Sequence, residues 1–389
     1  MRETGLADIF PRVLAIVEDV KKRGDEALYD LAEQFDGSRP TFLRVPPGEI
    51  ANAETDEKTM AALREAIRCV REFHERQRPE GFRHRPYPGV ETERRFVPLD
   101  SVGVYVPGGL APLPTSLVMG AVPAQAAGVR RIAVATPKAD PTILATAREL
   151  GIEEVYCIGG AQAIAALAYG TETVKPVDKI VGPGQSWTTA AKLIVSSVVG
   201  IDLPAGPSEV LIVADETAEP RLCAADLRAQ AEHGPGSESL LVTTSETLAR
   251  EVRELVGEDA QIVIELVGSI DEAIERANDY APEHLELIVA DPEAALAKVR
   301  HAGAIFLGSY APAVVGDYAV GTNHVLPTGG LAKSRGGLGL EDFLKPLEIV
   351  RVDSEGLKQI RTVVTTLAAV EGLPLHAEAV EARFRISGR

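Results

Sequence analysis

Apolar residues recur along this chain with two different periods. Up to about residue 100 they follow helical spacing, which predicts helices over 9–22, 24–35 and 55–77. From Val102 onward, short apolar runs alternate with alanine-rich helical stretches, and this rhythm predicts parallel sheets with helices on their faces. The runs that predict strands lie at 102–106, 131–135, 155–158, 179–181 and 209–214, and a second set lies at 240–243, 261–265, 285–290 and 304–307.

The predicted fold class is therefore α/β, with two Rossmann-like parallel-sheet domains, a helical N-terminal region and a helical C-terminal tail. We expect a helical segment at 1–101 packed on the second sheet domain, a first α/β domain at 102–209, a second at 210–340 and the helical tail at 341–389. Residues 308–339 are rich in glycine and have almost no period. Because a loop that long inside a compact domain is usually functional, we expect it to contribute to a site.

Charge and composition exclude several classes of function. The chain has 389 residues and a net charge of -17, which would repel a phosphate backbone, so we expect no nucleic-acid partner. Its three cysteines are far apart and lack a Cys-x-x-Cys spacing, which favours buried thiols in a reducing compartment. No stretch resembles a signal peptide or a membrane span, so we expect a soluble, cytoplasmic protein without a membrane partner.

Three glycine turns, at 105–109, 159–162 and 182–185, each follow an apolar run and precede a helix. Ligands bind at the carboxyl ends of parallel strands, and glycine lets a phosphate approach the N–H groups at a helix start. The GxGxxG fingerprint is absent, because Trp187 occupies the third glycine position. A single glycine turn is often structural, whereas three in one half-sheet favour a bound nucleotide.

An acid and an imidazole, Glu283 and His284, stand side by side between a predicted helix and a predicted strand. Ser269 and Glu272 form a capping box at the start of the helix, and a proline just before the pair is expected to end it. The pair therefore falls on an irregular turn, where two neighbouring side chains can face one ligand. For the pair taken alone, a solvated loop is the alternative.

A second helix, opening at Pro220 and closing at 234–235, offers a possible metal site. Gln230 and His233 are three positions apart and share one face of it, although a satisfied helix end is the alternative. The aperiodic loop adds Asp317 and His324, and amide, imidazole and carboxylate groups suit zinc or manganese. The histidines interpreted as surface residues are His74 and His84.

Seven segments, taken in order, resemble the histidinol dehydrogenase family, and the resemblance covers nearly the whole chain. These segments are 105–109, 159–164, 205–209, 230–235, 281–285, 316–328 and 371–376. The family implies oxidation of L-histidinol to L-histidinal and then to L-histidine, the last two steps of histidine biosynthesis, with two NAD+ reduced in succession. It also implies one zinc ion per subunit, with NAD+ on the first α/β domain and the metal and catalytic loops on the second.

The resemblance also implies a role for each matching residue. Glu283 and His284 match the catalytic acid–base pair of the family. The implied zinc ligands are Gln230, His233, Asp317 and His376. The implied substrate contacts are Ser208, His324 and Glu371, together with the four zinc ligands and His284. The implied NAD+ contacts are Tyr105, Gln162 and Gln185, the last of which is usually asparagine in the family.

The chemistry of these residue types agrees with that reaction. A carboxylate can take a proton from the water that hydrates an aldehyde, and an imidazole can remove the hydroxyl proton as hydride leaves. We expect Glu283 in the first role and His284 in the second. The two amphipathic helices predicted in the tail cannot bury their apolar faces alone, and the family implies a homodimer with exchanged tails. His376 and Glu371 would then complete the site of the other subunit.

Three other functions are compatible with parts of the pattern. Relatives with this architecture oxidise other small alcohols, for instance a sulfonated propanediol, so the fold alone does not define the substrate. A zinc hydrolase could use Glu283 to activate a metal-bound water, although the three glycine turns argue against it. A catalytically silent metal-binding dimer is the third alternative, and the Glu283–His284 pair argues against that.

Overall fold

The computed structural model describes residues 6–108, 111–204, 206–234 and 236–386. Gly109, Ala205 and Pro235, which belong to predicted motifs, lie outside the described residues. The helices are α1 (Leu6–Arg23), α2 (Asp25–Asp36), α3 (Pro47–Ala51), α4 (Glu57–Glu75), α5 (Pro114–Ala127), α6 (Pro141–Glu149), α7 (Gly160–Tyr169), α8 (Ser186–Val195), α9 (Pro220–Ala231), α10 (Glu246–Val256), α11 (Ile270–Tyr280), α12 (Pro292–Leu296), α13 (Val314–Tyr318), α14 (Ser354–Val370) and α15 (Pro374–Ile386). The strands are β1 (Phe82–Tyr87), β2 (Val90–Pro98), β3 (Ser101–Tyr105), β4 (Arg131–Thr136), β5 (Glu154–Cys157), β6 (Lys179–Val181), β7 (Gly200–Ile201), β8 (Glu209–Ala214), β9 (Glu238–Thr243), β10 (Ile262–Leu266), β11 (His284–Ile288), β12 (Ala304–Leu307) and β13 (Leu344–Val352). Within these ranges, no helix is both long and apolar enough to cross a bilayer.

Two five-stranded parallel sheets confirm the predicted α/β fold. The first has the order β5-β4-β3-β6-β7 and the second has the order β10-β9-β8-β11-β12. In each sheet the chain begins at the central strand, adds two strands on one side and then crosses to the other, as in Rossmann-like folds. All nine predicted strands occur, but 209–214, grouped above with the first set, is the centre of the second sheet. Strand β7 was missed because two residues are too short to show a period.

Alternate residues of β11 face opposite sides of the second sheet. Leu285 and Leu287 pack in one core with residues of α11, whereas Ile288 packs in another core with residues of α9. Because side chains two apart on a strand share a face, His284 and Glu286 point to the side that α9 covers. The fold thus brings the two candidate sites of the sequence, on α9 and before β11, to one face.

By compactness the chain forms two units, Met1–Gln77 with Leu99–Phe343, and Arg78–Pro98 with Leu344–Arg389. The second unit holds an antiparallel sheet of β1, β2 and β13, followed by α14 and α15. The predictions of a helical region at 1–101 and a helical tail at 341–389 are therefore wrong for these three strands. They show no alternating apolar pattern because β1 is exposed along its whole length and β13 along most of it. Charged pairs such as Arg94–Glu348 join neighbouring strands instead.

The N-terminal helices pack against the first sheet domain, not against the second as predicted. Val13 and Val17 of α1 belong to one buried core with Ile164 and Leu167 of α7. His74, interpreted above as a surface residue, is fully buried on α4. The prediction failed because the charged neighbours of His74 along the chain point to other faces of the helix. His84 on β1 is exposed, as expected.

Candidate active site

The predicted acid and imidazole lie where α11 meets β11. The Ser269 hydroxyl accepts the Glu272 N–H at 3.2 Å, which confirms the predicted helix start, and the helix ends before the proline. Ala281 has φ +53°, and in the described part of the chain it is the one residue other than glycine with positive φ. A left-handed residue of this kind costs about 1 to 3 kcal/mol and is typical of functional sites. This turn places the Glu283 carboxylate 3.6 Å from the His284 ring nitrogen Nδ1.

Glu283 is buried, and its carboxylate is held by the start of β8. Its Oε2 accepts the Ser208 hydroxyl at 2.6 Å and the Glu209 N–H at 2.9 Å. Ser208, predicted as a substrate contact, therefore also orients Glu283. Burial raises the pKa of Glu283 to about 7, although the bonds from Ser208 and Glu209 lower it. A carboxyl group that titrates near neutrality can take up and release a proton, as a general base must.

His284 is held in one tautomer. Its Nδ1 lies 3.0 Å from the Glu209 carbonyl oxygen, and because a carbonyl only accepts, Nδ1 carries the proton. The same nitrogen is 3.6 Å from Glu283 Oε2. Burial lowers the pKa of His284, although Asp317 opposes this shift, so the ring is neutral at pH 7. A neutral ring with a protonated Nδ1 leaves the Nε2 lone pair free to act as a base.

The stability of the metal-free protein should depend on the ionisation of Glu283. Between pH 4.5 and about 7 the unfolded chain loses the Glu283 proton while the folded chain keeps it, so folding becomes less favourable as pH rises. This difference corresponds to about 3 kcal/mol at pH 8. We expect Glu283→Gln, which keeps an acceptor for Ser208, to gain that stability relative to wild type between pH 4.5 and 8.

Denaturant unfolding of both proteins at pH 4.5 and 8 measures this difference. The exposed Glu254→Gln on α10 controls for the change of side-chain type. A constant difference between Glu283→Gln and wild type across this pH range would show that Glu283 titrates normally in the folded protein.

One pocket brings together three of the four predicted zinc ligands. Gln230 comes from the last turn of α9, His233 from the turn that follows this helix, and Asp317 from α13, and His284 lines the same pocket. Gln230 and His233 both line this pocket, but they do not share a helix face as predicted, because α9 ends at Ala231. Gln230 is 6% exposed, and its buried Nε2 has no hydrogen-bond partner among the described residues. A buried amide N–H group without an acceptor is unusual in a folded protein.

Sequence reasoning missed a pair of carboxyl groups that lines this pocket, the half-buried Asp226 and the buried Glu286. Burial and the neighbouring Asp226 together raise the pKa of Glu286 to about 8. Burial raises the pKa of Asp226 as well. The Ala313 N–H donates to Glu286 Oε1 at 2.6 Å. The available signal was a glutamate two residues after His284 in a strand buried throughout.

His324 lies close enough to His284 and His233 to interact with them electrostatically. Burial, helped by the nearby His284 and His233, lowers the pKa of His324 to about 4, although a hydrogen bond to the Asp317 backbone opposes the shift. Its Nε2 is buried without a partner in the described part of the chain. The predicted substrate contact therefore has a ring nitrogen available beside the pocket.

The donors around the pocket fit a transition-metal ion in type. Amide, imidazole and carboxylate groups are present in Gln230, His233 and Asp317, and burial raises the pKa of Asp317, a penalty that a bound cation would relieve. No three His, Cys, Asp or Glu side chains of the described ranges converge closely enough to form a metal cluster. His376 on α15 and Glu371 after α14 belong to the second unit, where both are exposed. The four-residue zinc site stays a prediction.

The carboxyl edge of the first sheet carries the three residues predicted for NAD+. Tyr105 ends β3, and its hydroxyl accepts the Gly160 N–H at 3.1 Å, which ties this strand to the turn before α7. Gln162 lies buried in the first turn of α7, and the exposed Gln185 is the N-cap residue of α8. The glycine turns therefore lie on one sheet edge, as predicted, while the contacts with NAD+ stay a prediction.

Comparison with known proteins gives consistent matches over the whole chain. The family model described as histidinol dehydrogenase matches residues 1–384. A histidinol dehydrogenase of Methanothermobacter thermautotrophicus is 45% identical over 400 residues, which cover 97% of this chain and 94% of the relative. One from Thermobifida fusca is 45% identical over 407 residues, covering 98% and 93%. The crystal structure of histidinol dehydrogenase from Elizabethkingia anophelis matches with a TM-score of 0.91 at 37% identity, covering 98% and 93%.

Proposed function

The chain belongs to the histidinol dehydrogenase family, and from this premise we propose that it oxidises L-histidinol through L-histidinal to L-histidine with two NAD+. The enzyme is an NAD-dependent oxidoreductase of histidine biosynthesis. The observation that supports the two-step reaction best is the buried pair of Glu283 and His284, two bases with different environments. Each step has a base suited to it.

His284 is the proposed base of both oxidations. Its free Nε2 takes the hydroxyl proton of histidinol in the first step and of the aldehyde hydrate in the second. The bond from Nδ1 to the Glu209 carbonyl keeps the ring oriented and stabilises the imidazolium that forms. Glu283, 3.6 Å away, adds a negative charge that favours the same cation.

Glu283 is the proposed base for hydration of the aldehyde. Its carboxylate takes a proton from water as the oxygen adds to the carbonyl carbon of histidinal, giving the hydrate that the second step oxidises. Ser208 and the Glu209 N–H hold one carboxylate oxygen, so the other oxygen is free to meet the water. A pKa of about 7 allows the group to return its proton at neutral pH.

Two bound groups complete the proposed site. When bound, NAD+ accepts the hydride of each oxidation and a zinc ion holds the nitrogens of the substrate. Gln230, His233 and Asp317 would supply three zinc ligands and His376 the fourth, while His324 and Glu371 would contact the substrate. Tyr105, Gln162 and Gln185 would contact NAD+. Because the Gln185 side chain is longer than the asparagine usual in the family, we expect it to change the affinity for NAD+.

The absorbance of NADH tests the function. Adding L-histidinol and NAD+ to the zinc-loaded enzyme should produce two NADH for each histidine formed. One NADH per substrate would indicate a simple alcohol dehydrogenase for another small alcohol. A zinc hydrolase or a silent metal-binding dimer would produce none.

We propose a homodimer with exchanged tails, in which His376 and Glu371 serve the site of the other copy. Helices α14 and α15 expose apolar side chains that a second copy could cover, namely Val363 (53%), Leu367 (55%), Val370 (79%) and Leu375 (78%). Exposed apolar groups of this size favour association. Mixing inactive His376→Ala and His284→Ala proteins under subunit exchange should restore about a quarter of wild-type activity, because half of the dimers are mixed and each has one intact site.

Activity that stays at background, although mixed dimers are detected, would show that each tail serves its own chain. Each variant exchanged with itself is the control and should remain inactive.

A further inference from the structure

A buried ion pair lies behind the third glycine turn of the first sheet. Lys192 Nζ is 2.6 Å from Asp202 Oδ1, and the two side chains are 3% and 0% exposed. Lys192 lies within α8, and Asp202 follows β7. An ion pair this deep is costly to form, and it does not by itself argue for stability. The hydrogen bonds that the two side chains make to the backbone therefore indicate what the ion pair does.

Both members of the pair bind the backbone of Gly182. Lys192 Nζ donates to the Gly182 carbonyl at 2.5 Å, and the Gly182 N–H donates to Asp202 Oδ2 at 2.7 Å. Strand β6 ends at Val181, so Gly182 has left the ladder of the sheet and its two buried polar groups need other partners. The ion pair supplies both.

Gly182 also lies too close to a neighbouring strand to carry a side chain. Its φ is +121°, and a Cβ at this position would lie 2.2 Å from the Tyr105 carbonyl oxygen. The turn therefore runs directly against the end of β3 before it reaches Gln185. Because Gly182 has no side chain, its bonds to Lys192 and Asp202 determine where the turn lies.

We propose that Lys192 and Asp202 are positioning residues for NAD+: they hold the turn 182–185 against β3 so that Gln185 and the start of α8 meet the cofactor. This inference rests on the proposed NAD+ role of that edge. A merely structural pair would alter stability alone, whereas a positioning pair alters NAD+ affinity and leaves zinc and histidinol binding unchanged. The proposed zinc and histidinol residues Gln230, His233 and Asp317 lie around the second sheet.

The charge-free double variant Lys192→Met/Asp202→Asn tests the proposal, because a single replacement of Lys192 would leave an uncompensated buried charge. We expect NAD+ binding to weaken about tenfold, the effect of losing one well-made hydrogen bond to a charged group. Trp187 is the single tryptophan of the chain and lies two residues after Gln185, with the Arg12 guanidinium 4.7 Å from its ring centroid. We expect the fluorescence of Trp187 to change when NAD+ binds, so that binding can be measured without turnover.

A second ion pair of the same sheet provides the matched control. Arg131 and Glu154 begin β4 and β5 at the opposite edge, 2.6 Å apart, and Arg131 also donates to two backbone carbonyls. Arg131→Met/Glu154→Gln should change thermal stability but not NAD+ affinity. In the Lys192→Met/Asp202→Asn protein, zinc content and the KM for histidinol should match wild type.

A second charge-free variant, Lys192→Gln/Asp202→Asn, keeps a donor and an acceptor beside Gly182 and should show an intermediate affinity. If the Lys192→Met/Asp202→Asn protein does not fold, this second variant decides the question. NAD+ affinity equal to wild type in a folded Asp202 variant would overturn the proposal, even with a lower melting temperature. Absence of NAD+ binding by wild type would instead remove the cofactor site itself, and this proposal with it.

Discussion

Replacing His284 by asparagine is expected to lower kcat by about 100-fold to about 10,000-fold, the contribution typical of a general base. Asparagine can still donate to the Glu209 carbonyl, which His284 reaches at 3.0 Å, but it offers no basic lone pair in place of Nε2. Binding of histidinol should change much less than kcat, since the ring is proposed to act on the reacting proton. Steady-state NADH formation with saturating NAD+ measures both parameters.

Three control measurements test whether the loss of kcat is specific to His284. Zinc content and the melting temperature of the variant should stay close to wild type, because His284 is not among the proposed zinc ligands. His84→Asn, at an exposed position of β1, should leave kcat unchanged. A loss of less than about tenfold in His284→Asn would assign the base to another group.

Replacing His233 by asparagine should remove the metal, and activity with it. His233 is the one imidazole in the proposed ligand set that lines the pocket together with Gln230 and Asp317. Loss of a direct ligand should weaken zinc binding by more than the about 10- to 100-fold that loss of an outer partner causes. Metal analysis after dialysis against a weak chelator measures occupancy, and circular dichroism verifies that the sheets remain folded.

Asp226→Asn is the matched control, because Asp226 lines the same pocket but is outside the proposed ligand set. It should retain zinc. Full occupancy in the His233→Asn protein would remove His233 from the ligands, and loss of zinc from both variants would extend the set to Asp226.

Part of the fold could be predicted from the sequence because the spacing of apolar residues indicates which side of a helix or strand is buried. The two sets of apolar runs predicted nine strands, and Ser269 with Glu272 predicted the start of α11. The spacing of Gln230 and His233 predicted one shared helix face, since three residues make nearly one helical turn, and both residues do line one pocket although α9 ends before His233. These are local properties, and neighbouring residues alone determine them.

Only the tertiary structure decided which distant elements meet. Strand β13 pairs with β2 across about 250 residues of chain, and their exposed faces carry no apolar pattern that could have revealed the pairing. His74 is buried although its sequence neighbours are charged, because burial depends on what packs against one face of α4. The bond from Ser208 to Glu283 likewise requires that β8 and β11 be neighbours.

The protonation states of the site residues also depend on the tertiary structure. The sequence by itself determined that Glu283 and His284 are adjacent, and their resemblance to a known acid–base pair followed from that. Burial beside β8 raises the pKa of Glu283, the Glu209 carbonyl selects the tautomer of His284, and α9 brings Asp226 against Glu286. Desolvation and hydrogen bonding depend on atoms that are distant in the chain, so no local pattern contains them.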